Sequence, residues 1–305
     1  METNPFHFRP ARLSDEAAVR QLSASIWDGH DYVPDCFADW VADPRGQFTV
    51  VYEGDRLVAF GKLSELGPGE GWLEGLRVAI EARGRGLGRL LHNYAVELAD
   101  QLAMGKLRFA TASDNQAVHK MAADTGFRLL GRHWLASAEA GAAMDEGGRV
   151  KDEEGLASPF ILVTDLSAAQ RWLEQSAVYQ VGGGLAEDEW IWYEIRPRLA
   201  EWQQQGRLYW WTDVRRPAAG ATHGRGLVIV HRTEPETLWV NLAAIEAAAW
   251  PALAVDLRGL AAHLTASRLE TKPLAALTPV EALRAAGWQV EPDLQMWVFE
   301  RTIGT

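Results

Sequence analysis

Arg83-Gly84-Arg85-Gly86-Leu87-Gly88 closes an extended apolar segment and opens one in which Leu91, Ala95, Leu98, Ala99 and Leu102 recur at helical spacing. At the start of a helix several backbone N–H groups lack partners and lie at the positive end of the helix dipole, and glycines let a phosphate approach them closely. Arg83 and Arg85 add positive charge on both sides of Gly84, so a pyrophosphate would be held mostly by main chain with arginine assisting. No Gly-Lys-Ser or Gly-Lys-Thr follows, which excludes a nucleotide-triphosphate loop. A dinucleotide fingerprint would sit at the first strand–helix turn with an acidic residue after the next strand; here several elements precede the run, and the next strand ends in Thr111-Ala112-Ser113. The plainer alternative is that small residues merely permit a tight turn.

The elements around this run follow from pattern. Phe6–Arg9 reads as a strand, Ala17–Ile26 as a helix entered through Ser14-Asp15-Glu16, and Val33–Val41 as a shorter helix. Phe48–Tyr52 and Leu57–Leu63 flank Glu53-Gly54-Asp55-Arg56 as a hairpin, and Gly71–Ile80 is apolar enough for a central strand. Leu107–Ala112 predicts a strand, Asn115–Asp124 a helix stopping at Gly126, and Phe127–Ser137 an extended segment. Glu139–Gly155 mixes glycine with charge and has no apolar period, which makes it a linker or exposed loop.

In the second half, Ala169–Ser176, Trp190–Gln205, one long Trp250–Ser267 and Val280–Ala286 are helical candidates. Leu208–Thr212, Gly226–His231, Thr237–Leu242 and Gln295–Glu300 read as strands. Gly287-Trp288 takes the place of Gly126-Phe127, which suggests a diverged internal duplication.

With 305 residues, two domains are expected. The 41 acidic against 30 basic residues leave a net charge of −11, a surface that repels nucleic acid and anionic membrane. Cys36 is the lone cysteine, so an intrachain disulfide and a multi-cysteine metal site are excluded. The amino terminus shows no secretion pattern and no segment reads as a membrane span, so a cytoplasmic location is expected. His223 and His231 lack the spacing and neighbours of a metal set, and no metal is expected.

Val78-Ala79-Ile80-Glu81-Ala82-Arg83-Gly84-Arg85-Gly86-Leu87-Gly88 resembles the acetyl-coenzyme A signature of the GCN5-related N-acetyltransferase (GNAT) family. Asn115–Met121, Gly126-Phe127 and Phe8-Arg9-Pro10-Ala11 with the Asp15-Glu16 helix start are similar to other parts of that family, so the resemblance covers residues 6 to about 137. It implies a mixed, mainly antiparallel twisted sheet flanked by helices, an α/β (α+β) fold in which the fourth and fifth strands splay apart. The pantetheine arm would lie in that gap against main chain around Val78, Ala79 and Ile80. The pyrophosphate would lie over Arg83, Gly84, Arg85, Gly86, Leu87 and Gly88, with Asn115 facing the arm. An amine would attack the bound thioester without an acyl-enzyme intermediate.

Such an attack needs an ammonium to lose its proton. Glu74, four residues before Val78, is the general-base candidate; simple alternation places it with Leu76 on one face of the strand. Its other reading is an ion-pair partner for Arg77 or a neighbouring arginine. The family's usual proton donor, a tyrosine four residues before the Gly-Phe glycine, is Ala122 here. Another donor serves, solvent serves, or activity is lost. His119 is a weak substitute, and its plainer reading is a surface position on a covering helix; His133 lines the acceptor pocket or is exposed; Trp27 and Tyr32 belong to the region that covers acceptors in the family, with core packing as their plainer role; and Cys36 reads as a passive thiol.

The second half has no counterpart of the glycine run and holds ten of the 14 tryptophans, which favour packing. The expected organisation is tandem GNAT-like domains: residues 1–138 binding acetyl-coenzyme A or another acyl-coenzyme A as cosubstrate, a linker over 139–157, and a diverged GNAT-like domain over 158–305. The expected activity is transfer of an acetyl group to a small-molecule primary amine, with a cationic acceptor suiting the acidic surface, no nucleic-acid or membrane partner, and a monomer or homodimer. The alternatives are another acyl donor or a catalytically silent coenzyme A sensor.

Overall fold

The computed structural model describes residues 5–141, 159–212, 225–233 and 236–303. The first half runs β1 (Phe6–Pro10), α1 (Glu16–Ser23), α2 (Val33–Ala42), β2 (Gly46–Glu53), β3 (Arg56–Gly67), β4 (Glu70–Val78), a 3-10 turn at Ile80–Ala82, α3 (Leu87–Gln101), β5 (Lys106–Ala112), α4 (Gln116–Asp124) and β6 (Arg128–Glu139). The second half runs β7 (Phe160–Leu162), α5 (Leu166–Gln175), α6 (Ala177–Val181), β8 (Leu185–Asp188), β9 (Ile191–Glu194), α7 (Ile195–Gln204), β10 (Leu208–Trp211), β11 (Gly226–Thr233), β12 (Thr237–Ala244), α8 (Trp250–His263), β13 (Arg268–Thr271), α9 (Val280–Ala285) and β14 (Gln289–Thr302).

These elements form two compact units, but not by a single cut. Met1–Ala110, Gln116–Arg128 and Phe299–Thr305 make the first; Thr111–Asn115 and Leu129–Val298 make the second. Residues 129–138, expected in the first domain, therefore belong to the second unit, and the end of β14 belongs to the first. Most of the expected 139–157 linker lies outside the described residues.

In the first unit β1, β2, β3 and β4 pair antiparallel in sequence order, β5 joins β4 in parallel, and the end of β14 lies beside β5. Val19, Phe37, Phe48, Phe60, Leu87 and Leu91 meet in its core. The helix expected to reach Ile26 stops at Ser23, because Trp27 and Asp28 take positive φ values of 46° and 55° that an α-helix cannot continue through.

Asp15 anchors the opening of this unit. It accepts from both terminal nitrogens of Arg9 at 2.7 Å, from the Arg12 amide at 2.8 Å and from the Tyr52 hydroxyl at 2.9 Å. The Arg9 hydrogen bonds outweigh burial and bring its carboxyl down to about 2 from an ordinary 3.8. A depressed carboxylate contributes stability above its unfolded pKa and loses it as pH falls through the folded one. Asp15→Asn should therefore cost about 1–2 kcal/mol at pH 7 and almost nothing near pH 2, as urea denaturation at the two pH values would read.

The second unit repeats the plan. β7, β10, β11 and β12 pair antiparallel, β13 joins β12 in parallel, and β6 follows β13. The duplicated helix ends are alike in detail. After α4, Gly126 has φ 78° and the Phe127 amide donates to the Ala122 carbonyl at 2.9 Å; after α9, Gly287 has φ 82° and the Trp288 amide donates to Leu283 at 3.0 Å. Both are left-handed helix stops of the kind glycine permits. Trp211, Trp250 and Trp288 lie in one core of this unit and Trp202 and Trp210 in another, the packing role expected for most tryptophans.

Two expectations for this half change. The helix over Trp190–Gln205 begins only at Ile195, because Ile191–Glu194 pairs back on Leu185–Asp188 through a two-residue turn at Glu189 and Trp190, with φ 49° and 74°. Both central residues on the positive side of φ is the geometry that matches strand twist in tight hairpins. The long helix over Trp250–Ser267 stops at His263, where Thr265 takes φ 57°, and Arg268–Thr271 becomes strand β13. Four residues carry too short a period to read in sequence, and the parallel ladder against Thr237–Val240 supplies what propensity does not.

Candidate functional site

β4 and β5 begin as a parallel pair, Glu70↔Lys106, Gly71↔Leu107 and Trp72↔Arg108, and the pairing stops there. β4 continues through Leu73–Val78 paired on its other side with β3. The first unit thus contains the opened strand edge that the resemblance implied, directly upstream of the glycine run.

At the end of that edge, the Ala79 amide donates to the Val58 carbonyl at 2.9 Å, while the exposed Ile80 has an amide without a partner among the described residues. Arg83 folds its Nε onto the Val78 carbonyl at 3.2 Å. Gly84 and Gly86 have φ 75° and 77°, and no atom lies within 4 Å of where a Cβ would stand on either. That open space above a left-handed backbone admits an anion and disfavours any larger residue. Gly86 precedes α3, and the first hydrogen bond of that helix runs from the Leu90 amide to the Gly86 carbonyl at 3.1 Å, so the amides of Leu87, Gly88 and Arg89 form its unpaired first turn. Buried Leu87 pins the helix start, and a Cβ on Gly88 would stand 3.7 Å from Val78 and 3.8 Å from Leu76, which fixes how closely α3 lies on β4. Arg85 makes a two-pronged pair with Glu53 at 2.6 and 2.8 Å and lies over the Phe6 ring, so its guanidinium is held at the loop. The open left-handed glycines and the unpaired amides of α3 suit an anion such as a diphosphate, while Arg83 and Arg85 are engaged by the Val78 carbonyl and Glu53.

Asn115 belongs with the segment Thr111–Asn115 to the second unit, and its side-chain amide donates to the Thr111 hydroxyl at 3.1 Å.

The face of Glu74 differs from the one alternation implies. Glu74 opposes Lys62 and Arg77 opposes Phe60, so β4 spends three steps where β3 spends two. The extra residue is a bulge at Gly75, φ 63°, where a Cβ would meet the Trp40 ring at 2.6 Å. Beyond the bulge, Leu76 and Val78 turn toward α3, and Glu74 shares its face with Arg77 instead of with Leu76. A glycine inside an otherwise apolar strand was the available signal for this kink.

Arg77 is not the ion-pair partner of Glu74. It grips Asp31 through Nη2 at 2.8 Å and Nε at 3.2 Å, and its guanidinium lies 4.4 Å from the Trp27 ring centroid and 5.5 Å from that of Tyr32. Lys62 is held by Asp43 at 2.5 Å. Glu74 instead accepts from the Ser64 hydroxyl at 3.0 Å. Burial pushes its carboxyl above the ordinary 4.5, opposed by the Ser64 hydrogen bond and the charge of Lys62. A half-buried carboxylate whose pKa is raised holds a proton to higher pH than an exposed one. Ser64, Lys62, Asp43 and Asp31 were not singled out from sequence, since each acquires its role only by cross-strand or loop placement.

Tyr32 and Trp27 are 41% and 60% exposed beside this face. Burial of the Tyr32 hydroxyl, reinforced by Glu74, pushes the phenol up to about 12, so it stays protonated. Ala122 is fully buried in α4. His119 is half-buried with its ring 5.7 Å from Phe299, and His133 donates from Nδ1 to the Lys272 carbonyl, 2.9 Å away, in the second unit. Burial raises the Cys36 thiol, which suits a passive role.

Residues 16–127 match the model of the acetyltransferase (GNAT) family. This segment is similar to GNAT domains. Over 98 residues the chain is 31% identical to the human protein named Probable N-acetyltransferase 16, covering 32% of this chain and 27% of that one. Over 92 residues it is 29% identical to a Histidine N-acetyltransferase of Oreochromis niloticus, covering 30% and 27%. The chain thus spans about a quarter of the length of the curated relatives it matches. Likeness of fold extends further. A GCN5-related N-acetyltransferase from Sphaerobacter thermophilus superposes with a TM-score of 0.63 at 12% identity, covering 99% of this chain and 97% of the other. A tandem GNAT protein from the clavulanic acid biosynthesis pathway does so with 0.54 at 18% identity, covering 98% and 99%. The whole chain has the tandem GNAT fold. No helix of the described residues is long and apolar enough to cross a membrane.

Proposed function

We propose that this chain is an N-acyltransferase that moves an acetyl group from acetyl-coenzyme A to a primary amine. The observation that carries the reading is the opened β4 edge running into two left-handed glycines and the unpaired amides of α3. Val78, Ala79 and Ile80 would hold the pantetheine arm by main chain, and Arg83 to Gly88 the diphosphate. Bound there, the cosubstrate supplies an activated thioester carbonyl. Glu74, raised by burial, accepts a proton from the acceptor ammonium directly or through water, which frees the nitrogen lone pair for attack. Tyr32 and Trp27 form one side of the acceptor approach.

The acceptor is a small amine, and a cationic one fits best. Asp31 and Asp43 are neutralised by Arg77 and Lys62, but Asp35 and Asp39 of α2 are exposed and leave a negative field on the Glu74 side. One relative is named for histidine, itself an amine. A cytoplasmic monomer or homodimer is part of the proposal. Because Ala122 leaves no phenol at the usual donor position, a silent coenzyme A sensor is the second reading.

An amine panel followed by free-thiol release from acetyl-coenzyme A separates the two, with longer thioesters as competing donors. An Arg83→Ala/Arg85→Ala variant should weaken coenzyme A binding by about tenfold or more, as two charge-assisted contacts to phosphate are lost. Calorimetric titration with unchanged affinity would contradict the assigned phosphate site. Cofactor binding without thiol release across the panel would favour the sensor.

A further inference from the structure

Lys62 and Glu74 stand directly opposite each other on the antiparallel strands β3 and β4 and so share a face. Opposite charges at such positions have Cβ atoms only about 4.5–5.5 Å apart and attract one another. The structure nevertheless pairs them elsewhere. The ammonium of Lys62, a residue 2% exposed, donates to Asp43 Oδ2 at 2.5 Å, and Glu74 is left with the Ser64 hydroxyl at 3.0 Å.

The loop between α2 and β2 explains why the ammonium turns away from its cross-strand neighbour. Asp43 Oδ1 accepts from the Arg45 amide at 2.9 Å, and the Arg45 carbonyl accepts from the Glu65 amide at 2.9 Å, which ties the loop to β3. A fixed backbone thus presents the Asp43 carboxylate to Lys62. Gly46 leaves room for the ammonium, since a Cβ there would stand 3.0 Å from Nζ. Burial alone would raise the Asp43 carboxyl, but the hydrogen bonds from Lys62 and the Arg45 amide outweigh it and hold the group below the ordinary 3.8. A buried ammonium needs such a partner to offset its lost hydration.

The other charged and titratable groups about Glu74 are already settled. Arg77, on the same face of β4, is gripped by Asp31. The Tyr32 phenol and the Cys36 thiol are raised by burial and then by Glu74, so both stay protonated near pH 7, and Asp35 and Asp39 of α2 are exposed. Lys62 is the cation placed to decide the state of Glu74: its charge draws that carboxyl down, and Asp43 opposes it.

We propose that Asp43 is a positioning residue for acyl transfer: by holding Lys62 it keeps the ammonium from pairing with Glu74 and leaves that carboxylate free to act. The proton then passes from the acceptor nitrogen to a Glu74 oxygen, leaving a neutral amine. An ion pair between Lys62 and Glu74 would occupy the same carboxylate and make it a weaker base. The inference rests on the reading of Glu74 as the base.

The test is the titration of Glu74, followed in the full chain by 13C NMR of labelled glutamate carboxyls with Glu74→Gln to assign the resonance, beside the pH profile of kcat. Asp43→Asn keeps an acceptor for the Arg45 amide and removes the charge that holds Lys62. The Glu74 titration and the rising limb of kcat should move together to lower pH, with the plateau reduced by about tenfold or more and coenzyme A affinity within about twofold. Lys62→Met should move both to higher pH, and Asp43→Asn/Lys62→Met should recover most of the lost kcat. Lys62→Met also serves if the Asn variant fails to fold. A merely structural ion pair would lower the stability of both single variants and leave the Glu74 titration in place, and that result overturns the proposal, as does a shift of either variant in the opposite direction. The titration is read without turnover, so a wild type that shows these shifts but releases no thiol across the amine panel would refute the proposed function while upholding the hold of Asp43 on Lys62.

Discussion

Replacing Glu74 with Gln should lower kcat for amine acetylation by about 10²–10⁴-fold, the usual worth of a positioned general base, while coenzyme A affinity stays within about twofold. The split between the two readouts follows from placement. Glu74 lies on the Arg77 face of β4, whereas the proposed phosphate site runs from Arg83 to Gly88, where Gly88 of α3 lies against Leu76 and Val78 on the other face. The pH profile sharpens the test. Burial raises the Glu74 carboxyl above the ordinary 4.5, so wild-type kcat should rise with pH as that group ionises and then level off. The Gln variant should lose this limb. Retention of the limb would assign the proton transfer to another group. Ser64→Ala is the companion measurement. It removes the hydrogen bond that favours the carboxylate, so the limb should move to higher pH with the plateau largely kept.

The largest effect on stability is expected at Arg108. Its guanidinium, 1% exposed, donates to Glu70 at 3.0 Å and to Glu300 at 2.8 Å, and Arg128 completes the set on Glu300 at 3.0 Å. Burial alone raises Glu300, but the hydrogen bonds from Arg128 and Arg108 outweigh it and leave the carboxyl below the ordinary 4.5. Arg108→Met removes the central cation and leaves two buried acids facing each other. Losing one side of such a network costs about 3–5 kcal/mol at neutral pH. The sign with pH is opposite to that of an ordinary surface substitution. Wild type loses the Glu300 contribution as pH falls through its depressed value, whereas in the variant Glu300 keeps only Arg128 and is relieved as it takes up a proton, so the gap between the two proteins narrows toward pH 4. Urea denaturation of both proteins at pH 7 and pH 4 would measure this; a gap of constant size would mean that lost packing, not charge, dominates. Glu300 lies at the end of β14, so a chain ending at Val298 should show a comparable loss in the first unit.

Much of this molecule was legible before any coordinates. The hydrophobic periods placed β1 to β5 and α1 to α4 to within a few residues, and Gly126 and Gly287 disclosed the duplication because a left-handed helix stop is a local demand that few residues meet. The glycine run likewise reads in one dimension: two left-handed positions and a helix start are properties of consecutive residues. What pattern could not supply came from partners far apart in sequence. Strand β13 exists through its ladder with β12, and the start of α7 was displaced by a hairpin whose turn is held by Glu187 and Lys272. The pairing of Arg77 with Asp31, the bulge that moves Glu74 to the Arg77 face, and the assignment of residues 299–303 to the first unit each required chain segments to meet in space. Sequence by itself determined the fold class and the glycine-rich strand-to-helix junction, because backbone conformation and helix ends are encoded locally; tertiary structure decided the surroundings of each carboxylate, because desolvation and ion pairing depend on neighbours that no spacing along the chain reveals.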